Sequence, residues 1–248
     1  MLLYENSWRM MSIKNILAIG SAKGGVGKST ICANLAIALS EKYRVGILDA
    51  DIYGPSQHLL FGLEDHKPEI INREGKKTLQ PINALGVKIN SMGFIMSSEE
   101  AVIWRGPMLS NALKQLIEAT EWGDLDILIV DMPPGTGDPY LTIAKEIKPT
   151  ASILVTTNHV LSLSDTEKSK IALKKLGIPI LGYINNMNGE LCPKCNSEVI
   201  QDTIISGKYL KDLSCIGSII RHSDLQSLPS NNSAKLLKEV TDNVVKAL

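Results

Sequence analysis

Residues 20 to 31 read Gly-Ser-Ala-Lys-Gly-Gly-Val-Gly-Lys-Ser-Thr-Ile, directly after the short apolar run Ile16 to Gly20 and directly before the helix-length segment Lys28 to Ser40. No other feature constrains the fold as much. A glycine-rich turn between a strand and a helix lets backbone N–H groups surround a polyphosphate, while the helix N-terminus adds a favourable partial charge. In this chain Gly24, Gly25, Val26 and Gly27 would form that cradle. Lys28 supplies a mobile cation for the β- and γ-phosphates, Ser29 a hydroxyl for Mg²⁺, and Thr30 continues the motif into the helix. A dinucleotide-type G-x-G-x-x-G is excluded, because counting from Gly25 and Gly27 the sixth position is Thr30. The generic phosphate-loop pattern has a glycine where this chain has Ala22, a methyl group that changes the loop entry and leaves the site.

A strand–loop–helix unit of this kind belongs to an alternating α/β chain, and the alternation runs almost from end to end. Strands are predicted at Ile16 to Gly20, Val45 to Asp49, Val87 to Ser91, Ile127 to Asp131, Ser152 to Thr156, Ile180 to Asn185 and Ile216 to Ile220. Several are apolar on both faces, as buried parallel strands must be. Helices are predicted at Lys28 to Ser40, Pro107 to Thr120, Tyr140 to Lys148, Leu163 to Leu176, Ser206 to Leu213 and Ser233 to Ala247. Right-handed crossovers between such units give a single doubly wound, mostly parallel sheet with helices on both faces. The expected organisation is a short N-terminal extension over residues 1–12 and one domain over 13–248. Two stretches interrupt the alternation. Leu63 to Gly86 is polar and reads as an exposed excursion, and residues 187–201 form a loop holding Cys192 and Cys195.

Composition narrows the function by exclusion. The 26 Lys plus Arg balance 26 Asp plus Glu, so no strong overall field exists to attract nucleic acid or an anionic membrane without specificity. Aromatic residues make up only 4% and are scattered, leaving little for base-stacking platforms. Four cysteines in 248 residues are too few for a disulfide-stapled secreted module, which points to a reducing cytoplasm. No apolar run reaches the roughly 18 residues that span a bilayer.

Acidic residues stand where a phosphate site needs them. The second strand ends in Leu48-Asp49-Ala50-Asp51, and carboxylates just past a strand's C-terminal end face the crevice where α/β proteins bind ligands. Asp49 reads equally as a cap on the following turn. The run Leu125 to Asp131 is a buried strand ending in an acid, and Asp131 would hold Mg²⁺ through water, since Mg²⁺ keeps much of its hydration.

Taken with Lys23, five residues before Lys28, these residues resemble the deviant phosphate-loop motif K-G-G-x-G-K-[ST] of the MinD/ParA superfamily, a group of P-loop NTPases. Met132-Pro133-Pro134-Gly135-Thr136-Gly137-Asp138 after Asp131, and Trp104-Arg105-Gly106-Pro107, resemble the Mrp/ApbC branch in particular. The resemblance covers about Ile16 to Gly207. It implies an ATP-hydrolysing, homodimeric iron-sulfur cluster carrier that passes a 4Fe-4S cluster to apoproteins and meets cluster-assembly scaffolds. It implies that Lys23 reaches the partner's nucleotide, that Asp51 orients the attacking water, and that Asp49 is a switch residue associated with Mg²⁺. It places Asn186, in Gly182-Tyr183-Ile184-Asn185-Asn186-Met187, at the adenine edge, where an amide offers both donor and acceptor. Two departures stand out: Asn185 where the branch usually has Glu, and Asn158-His159 where a Pro-Gln pair is common.

Cys192-Pro193-Lys194-Cys195 supplies two thiolates, whereas a four-ligand sulfur site needs four. Cys32, one turn into the helix after the phosphate loop, and Cys215, in the apolar run Leu213 to Ile220, are both expected in the core. Two chains contributing one C-x-x-C each would complete the set, and the resemblance implies a bridging 4Fe-4S cluster. A bridging Zn²⁺, a redox-active dithiol and two unengaged thiols remain open. The alternative function is a positioning or partitioning ATPase of the MinD or ParA type. Its discriminators are a basic DNA-binding face or an amphipathic tail rich in Lys and Arg. The tail Ser233 to Leu248 is amphipathic without that dense basic face, and reads as packed on the sheet. A metabolic P-loop kinase would need an acceptor pocket and lid arginines, neither of which is identifiable.

Overall fold

The computed structural model describes residues 13–73, 75–95, 106–195, 197–200, 206–222, 225 and 237–248. The expected N-terminal extension, Trp104, Arg105 and residues 233–236 lie outside the described residues. Strand β1 (Ile13–Gly20) takes the centre of a nine-stranded sheet, between β7 (Leu125–Asp131) and β8 (Ala151–Thr156), parallel to both. Beyond β7 lie β2 (Val45–Asp49), β6 (Val87–Ser91) and the antiparallel β5 (Ile82–Ala84). Beyond β8 lies β9 (Ile180–Leu191), which also pairs with β11 (Cys215–Arg221) in parallel and with β10 (Glu198–Ile200) antiparallel. The doubly wound, mostly parallel sheet expected from the alternation is therefore the fold, and every strand read from sequence lies within an observed one.

Period-two alternation decides which helices cover which face. Leu17, Ile19, Ile47, Ile129, Ile153 and Val155 point to one side, where they meet Ile31, Leu35 and Leu39 of α1 (Lys28–Ser40) and Val240 and Val244 of α7 (Lys238–Ala247). Ala18, Leu48, Leu128, Val130 and Leu154 point to the other. There they meet α3 (Gly106–Ala119), α4 (Asp138–Ile147) and α5 (Val160–Lys175) through residues such as Leu116, Ile143 and Leu163. Each fully buried Leu or Ile adds roughly 1.5–3 kcal/mol of hydrophobic stabilisation. The tail helix α7 spends Val240 and Val244 on this core, as its amphipathic pattern predicts.

Register fixes the site. Ile19 of β1 and Asp49 of β2 are both paired with Asp131 of β7, so three strands end at one level. The loop after β1 and the acids ending β2 and β7 thus emerge side by side. At the opposite end Lys14, Arg44 and Asp126 tie the same strands together, with Arg44 donating to Asp126 from Nε and Nη2 at 3.1 Å each and Lys14 at 2.8 Å.

Four expectations change in detail. The polar stretch Leu63 to Gly86 is not featureless: β3 (Glu69–Arg73) and β4 (Lys76–Gln80) pair as a separate hairpin, and β5 joins the main sheet. Its strands escaped the reading because their faces are mostly solvated, leaving no apolar run to see. The loop at residues 187–201 is largely an extension of β9 folded back through β10, with the C-x-x-C in the turn between them. Helix α6 spans only Ser206–Tyr209, because the chain turns before β11. Cys215, expected in the core, is exposed: it opens β11, which among the described strands pairs with β9 alone, and faces outward from the strand. Cys32 is fully buried, as expected.

Candidate nucleotide site and cysteine hairpin

The loop from Ser21 to Gly27 leads straight into α1. Gly27 adopts φ 84°, a left-handed conformation that a Cβ would strain. A Cβ there would also collide with the Asn186 amide, so glycine is required on two counts. Gly24 and Gly25 lie exposed at the rim, while Val26 turns into the core. Two backbone bonds lock the loop to its neighbours: Gly135 N–H donates to the Ser21 carbonyl at 2.9 Å, and Met132 N–H to the Ile19 carbonyl at 3.1 Å. The Pro133-Pro134-Gly135 turn is thereby held against the phosphate loop.

Lys28 is 6% exposed and forms a direct ion pair with Asp131 Oδ1, with Asp51 Oδ2 3.7 Å away. Burial alone would depress the ammonium, but Asp131 and Asp51 outweigh it and hold Lys28 above the ordinary lysine range. Asp51 is raised, chiefly by burial, with Lys28 pulling it back. The buried Cys32 thiol beside them is pushed well up by desolvation and by Asp131, which keeps it protonated and inert.

Asp49 is completely buried and heavily bonded. Its Oδ2 accepts from the backbone N–H groups of Ser56 and Gln57 at 2.9 Å each and from the Ser91 hydroxyl at 2.8 Å, while Oδ1 accepts from Asp51 N–H at 3.2 Å. Desolvation and the Asp131 carboxylate raise its pKa against those bonds. Three of these contacts, from the N–H groups of Asp51, Ser56 and Gln57, cap the following turn, and the fourth, from Ser91, ties Asp49 to the end of β6. Asp49 is the post on which the start of α2 (Gln57–Leu60) is hung.

Sequence reasoning missed Gln57. Its side chain is fully buried, donating from Nε2 to Asp131 Oδ2 at 2.7 Å and to the Ser29 carbonyl at 3.0 Å. It joins the phosphate loop to the acid at the end of β7. The only signal was an amide eight residues after Asp49, and nothing in its spacing set it apart from an ordinary exposed helix-start residue.

Asn186 stands on β9 against the phosphate loop, its Nδ2 donating to the Val26 carbonyl at 2.8 Å. Gly27, Thr30, Ile31, Asn186, Met187, Arg221 and Leu225 line a small pocket beside it. The two departures in the motif turn out to touch: Asn185 Nδ2 donates to Asn158 Oδ1 at 2.8 Å. Asn158 in turn donates to Asn188, and Asn188 to the Ser218 hydroxyl at 2.7 Å, so a buried amide chain joins β8, β9 and β11 at the level of the site. Lys23 lies apart, 40% exposed, 3.5 Å from Asp165 of α5 and out of contact with the carboxylates around Lys28.

Further along β9 the backbone passes Gly189, whose Cβ would strike the Val199 carbonyl of β10, and reaches the cysteines. Cys192 is partly buried and Cys195 exposed, both free. Cys192 N–H donates to the Ser197 carbonyl at 2.9 Å, closing the turn, and Cys195 Sγ lies 2.9 Å from Ser197 Oγ. The Ser197 hydroxyl first, then its backbone and Cys192, hold the Cys195 thiol below its ordinary value. Among the described residues no cluster of three or more His, Cys, Asp or Glu could hold a metal within one chain. No helix among them is long and apolar enough to cross a membrane.

With this geometry in view, the relatives are informative. The family described as "NUBPL iron-transfer P-loop NTPase" matches residues 12–233. An iron-sulfur cluster carrier protein of Pseudomonas fragi is 49% identical over 188 residues, 75% of this chain and 64% of that protein. An Arabidopsis thaliana mitochondrial iron-sulfur protein required for NADH dehydrogenase is 36% identical over 260 residues, covering 97% of this chain and 80% of that protein. Several bacterial carriers are matched over only about half their length, so the chain spans between half and two thirds of those relatives. A nucleotide-binding protein of Archaeoglobus fulgidus, solved in complex with ADP, superposes with a TM-score of 0.74 at 31% identity, over 94% of this chain and 90% of that one. On the extent of the family match and of the alignment to the Arabidopsis protein, the chain belongs to the NUBPL iron-transfer P-loop NTPases.

Proposed function

We propose that the protein is a homodimeric, cytoplasmic ATPase that carries a 4Fe-4S cluster between two C-x-x-C hairpins and delivers it to apoproteins, receiving it from cluster-assembly scaffolds. One observation carries the reading. Strand β9 holds Asn186 against the phosphate loop and, six residues on and past a bulge at Met187, leads into Cys192 at its tip. The nucleotide site and the cysteine pair therefore sit on one continuous strand.

At the nucleotide site, the backbone from Gly24 to Thr30 cradles the phosphates and Lys28 neutralises them. To do so its ammonium exchanges Asp131 for the β- and γ-phosphates. Asp51 orients a water whose oxygen bonds to the γ-phosphorus as the bond to the ADP oxygen breaks, giving ADP and inorganic phosphate. Lys23, half-buried and paired with Asp165, supplies a cation to the partner's nucleotide. With Nδ2 of Asn186 committed to Val26, its carbonyl oxygen is the group left to accept from the adenine amino group. Mg²⁺ suits the donors present: the Ser29 hydroxyl, the Asp131 carboxylate and the unpartnered, buried Gln57 Oε1 are all oxygens. When bound, Mg²⁺ would offset phosphate charge, with Asp131 and Ser29 holding it and Asp49 ordering the adjacent turn.

The cluster is cargo. Two cysteines from each subunit make the four thiolates that it needs. The positioning-ATPase alternative needs an apolar tail face free for a membrane, and α7 has already buried Val240 and Val244. The test is transfer: cluster-loaded protein is mixed with an apo iron-sulfur enzyme, with and without Mg-ATP. Recovery of enzyme activity supports the carrier reading, and failure of any transfer from loaded protein removes it.

A further inference from the structure

We propose that Gln57 is the positioning residue of the metal site, holding Asp131 through Nε2 and presenting Oε1 as the acceptor for a water bound to the nucleotide's divalent cation. The proposal rests on the nucleotide-site reading and goes beyond it, since neither the phosphate-loop motif nor the acid ending β7 calls for an amide at this position.

The geometry is specific. Gln57 is completely buried, and its two donor contacts, Asp131 Oδ2 at 2.7 Å and the Ser29 carbonyl at 3.0 Å, bracket the space between the hydroxyl and carboxylate expected to face the cation. The Nε2 group is thus fully used. Oε1 is buried too and has no hydrogen-bond partner among the described residues. An unpaired buried carbonyl oxygen costs about 1–3 kcal/mol, a cost that a bound water or ion removes. Because both partners of Nε2 accept, the amide cannot be turned round without setting oxygen against oxygen, so Oε1 is fixed as an acceptor.

The surroundings are built to hold this side chain. Asp49 takes the Gln57 backbone N–H at 2.9 Å and is itself tied to Ser91 at the end of β6. The side chain therefore springs from a turn pinned to two strands. This also gives Gln57 a task that Lys28 cannot perform. Lys28 and Gln57 both hold Asp131, one on each oxygen. When Lys28 leaves for the phosphates, Gln57 alone keeps the carboxylate aimed. The group taken up is a hydrated divalent cation: Mg²⁺ retains several waters, and these supply the O–H donors that Oε1 lacks.

The experiment compares wild type, Gln57→Leu and Gln57→Glu by measuring ADP affinity calorimetrically across a Mg²⁺ titration and in EDTA, with melting temperatures recorded for each. Loss of an outer-shell partner lowers metal affinity by roughly 10–100-fold. The half-saturating Mg²⁺ concentration is accordingly expected to rise at least about tenfold in Gln57→Leu, with the Mg²⁺-dependent gain in ADP affinity reduced to match. Gln57→Glu keeps an acceptor oxygen but sets a second one against Asp131 and the Ser29 carbonyl, so the donor that holds Asp131 is lost and the Mg²⁺ midpoint is expected to rise here too. A purely structural residue would lower affinity with and without metal in proportion, leaving the Mg²⁺ midpoint where it is. That result, or a Mg²⁺ midpoint in Gln57→Glu equal to wild type, overturns the proposal. If wild type itself shows no ADP binding, the nucleotide-site reading fails instead, and the two failures are distinct.

Discussion

Lys28 and Asp131 form a buried ion pair at the centre of the nucleotide site, joining the first residue of α1 to the last residue of β7. The same lysine faces Asp51 at 3.7 Å, so one ammonium serves two carboxylates.

Replacing Lys28 with Ala is expected to abolish measurable ATP hydrolysis and also to destabilise the protein. Removing one member of a buried pair leaves the other uncompensated, at a cost of about 3–5 kcal/mol. Chemical denaturation alongside a phosphate-release assay checks both. Unchanged turnover would remove the phosphate loop from the mechanism.

Gly27→Ala is expected to lower ADP affinity at least tenfold while the protein remains folded. The added methyl strains a left-handed backbone and displaces Asn186 from Val26, disturbing loop and base pocket together. Calorimetric titration with ADP reads the effect, and an affinity equal to wild type would contradict the placement of Asn186.

The base end is tested by Asn186→Asp. An aspartate offers only acceptors when ionised, so it cannot donate to the Val26 carbonyl, and ATP affinity should fall. Guanine presents ring and amino N–H donors, so the preference for ATP over GTP should narrow. A fall that is identical for both nucleotides would move the base away from Asn186.

Acid stability is set at the other end of the sheet. Hydrogen bonds from Arg44 and Lys14 hold Asp126 well below the usual carboxylate range. A depressed acid contributes stability that is present above its unfolded pKa, near 4, and is lost as pH falls towards the folded value. Asp126→Asn should therefore lower the melting temperature at pH 7, and the difference from wild type should shrink steadily below about pH 4. A difference independent of pH would contradict the assignment.

How much of this could be read from the chain follows from what each residue does. The phosphate loop, Asp131 and the core strands were legible because their signals are local: glycines beside Lys-Ser, and apolar runs ending in acids. The register pairing Asp49 and Ile19 with Asp131 then brought them together. Gln57 was not legible, since its meaning arises only when Ser29 and Asp131, distant in sequence, close around it. Asn158 and Asn185 each appeared as a separate departure from pattern, and only the sheet makes them one hydrogen-bonded pair. Cys215 misled because an apolar neighbourhood in sequence says nothing about which side of an outer strand faces solvent.

The central claim is that two hairpins together hold one cluster. Iron and acid-labile sulfide content, measured with molecular mass on anaerobically reconstituted protein, tests it most directly. The account predicts one 4Fe-4S cluster per dimer, with visible absorbance and dimer lost together when Cys192 or Cys195 is changed to Ala. A cluster that survives in a monomer, or that is lost only when Cys32 or Cys215 is changed, would contradict it.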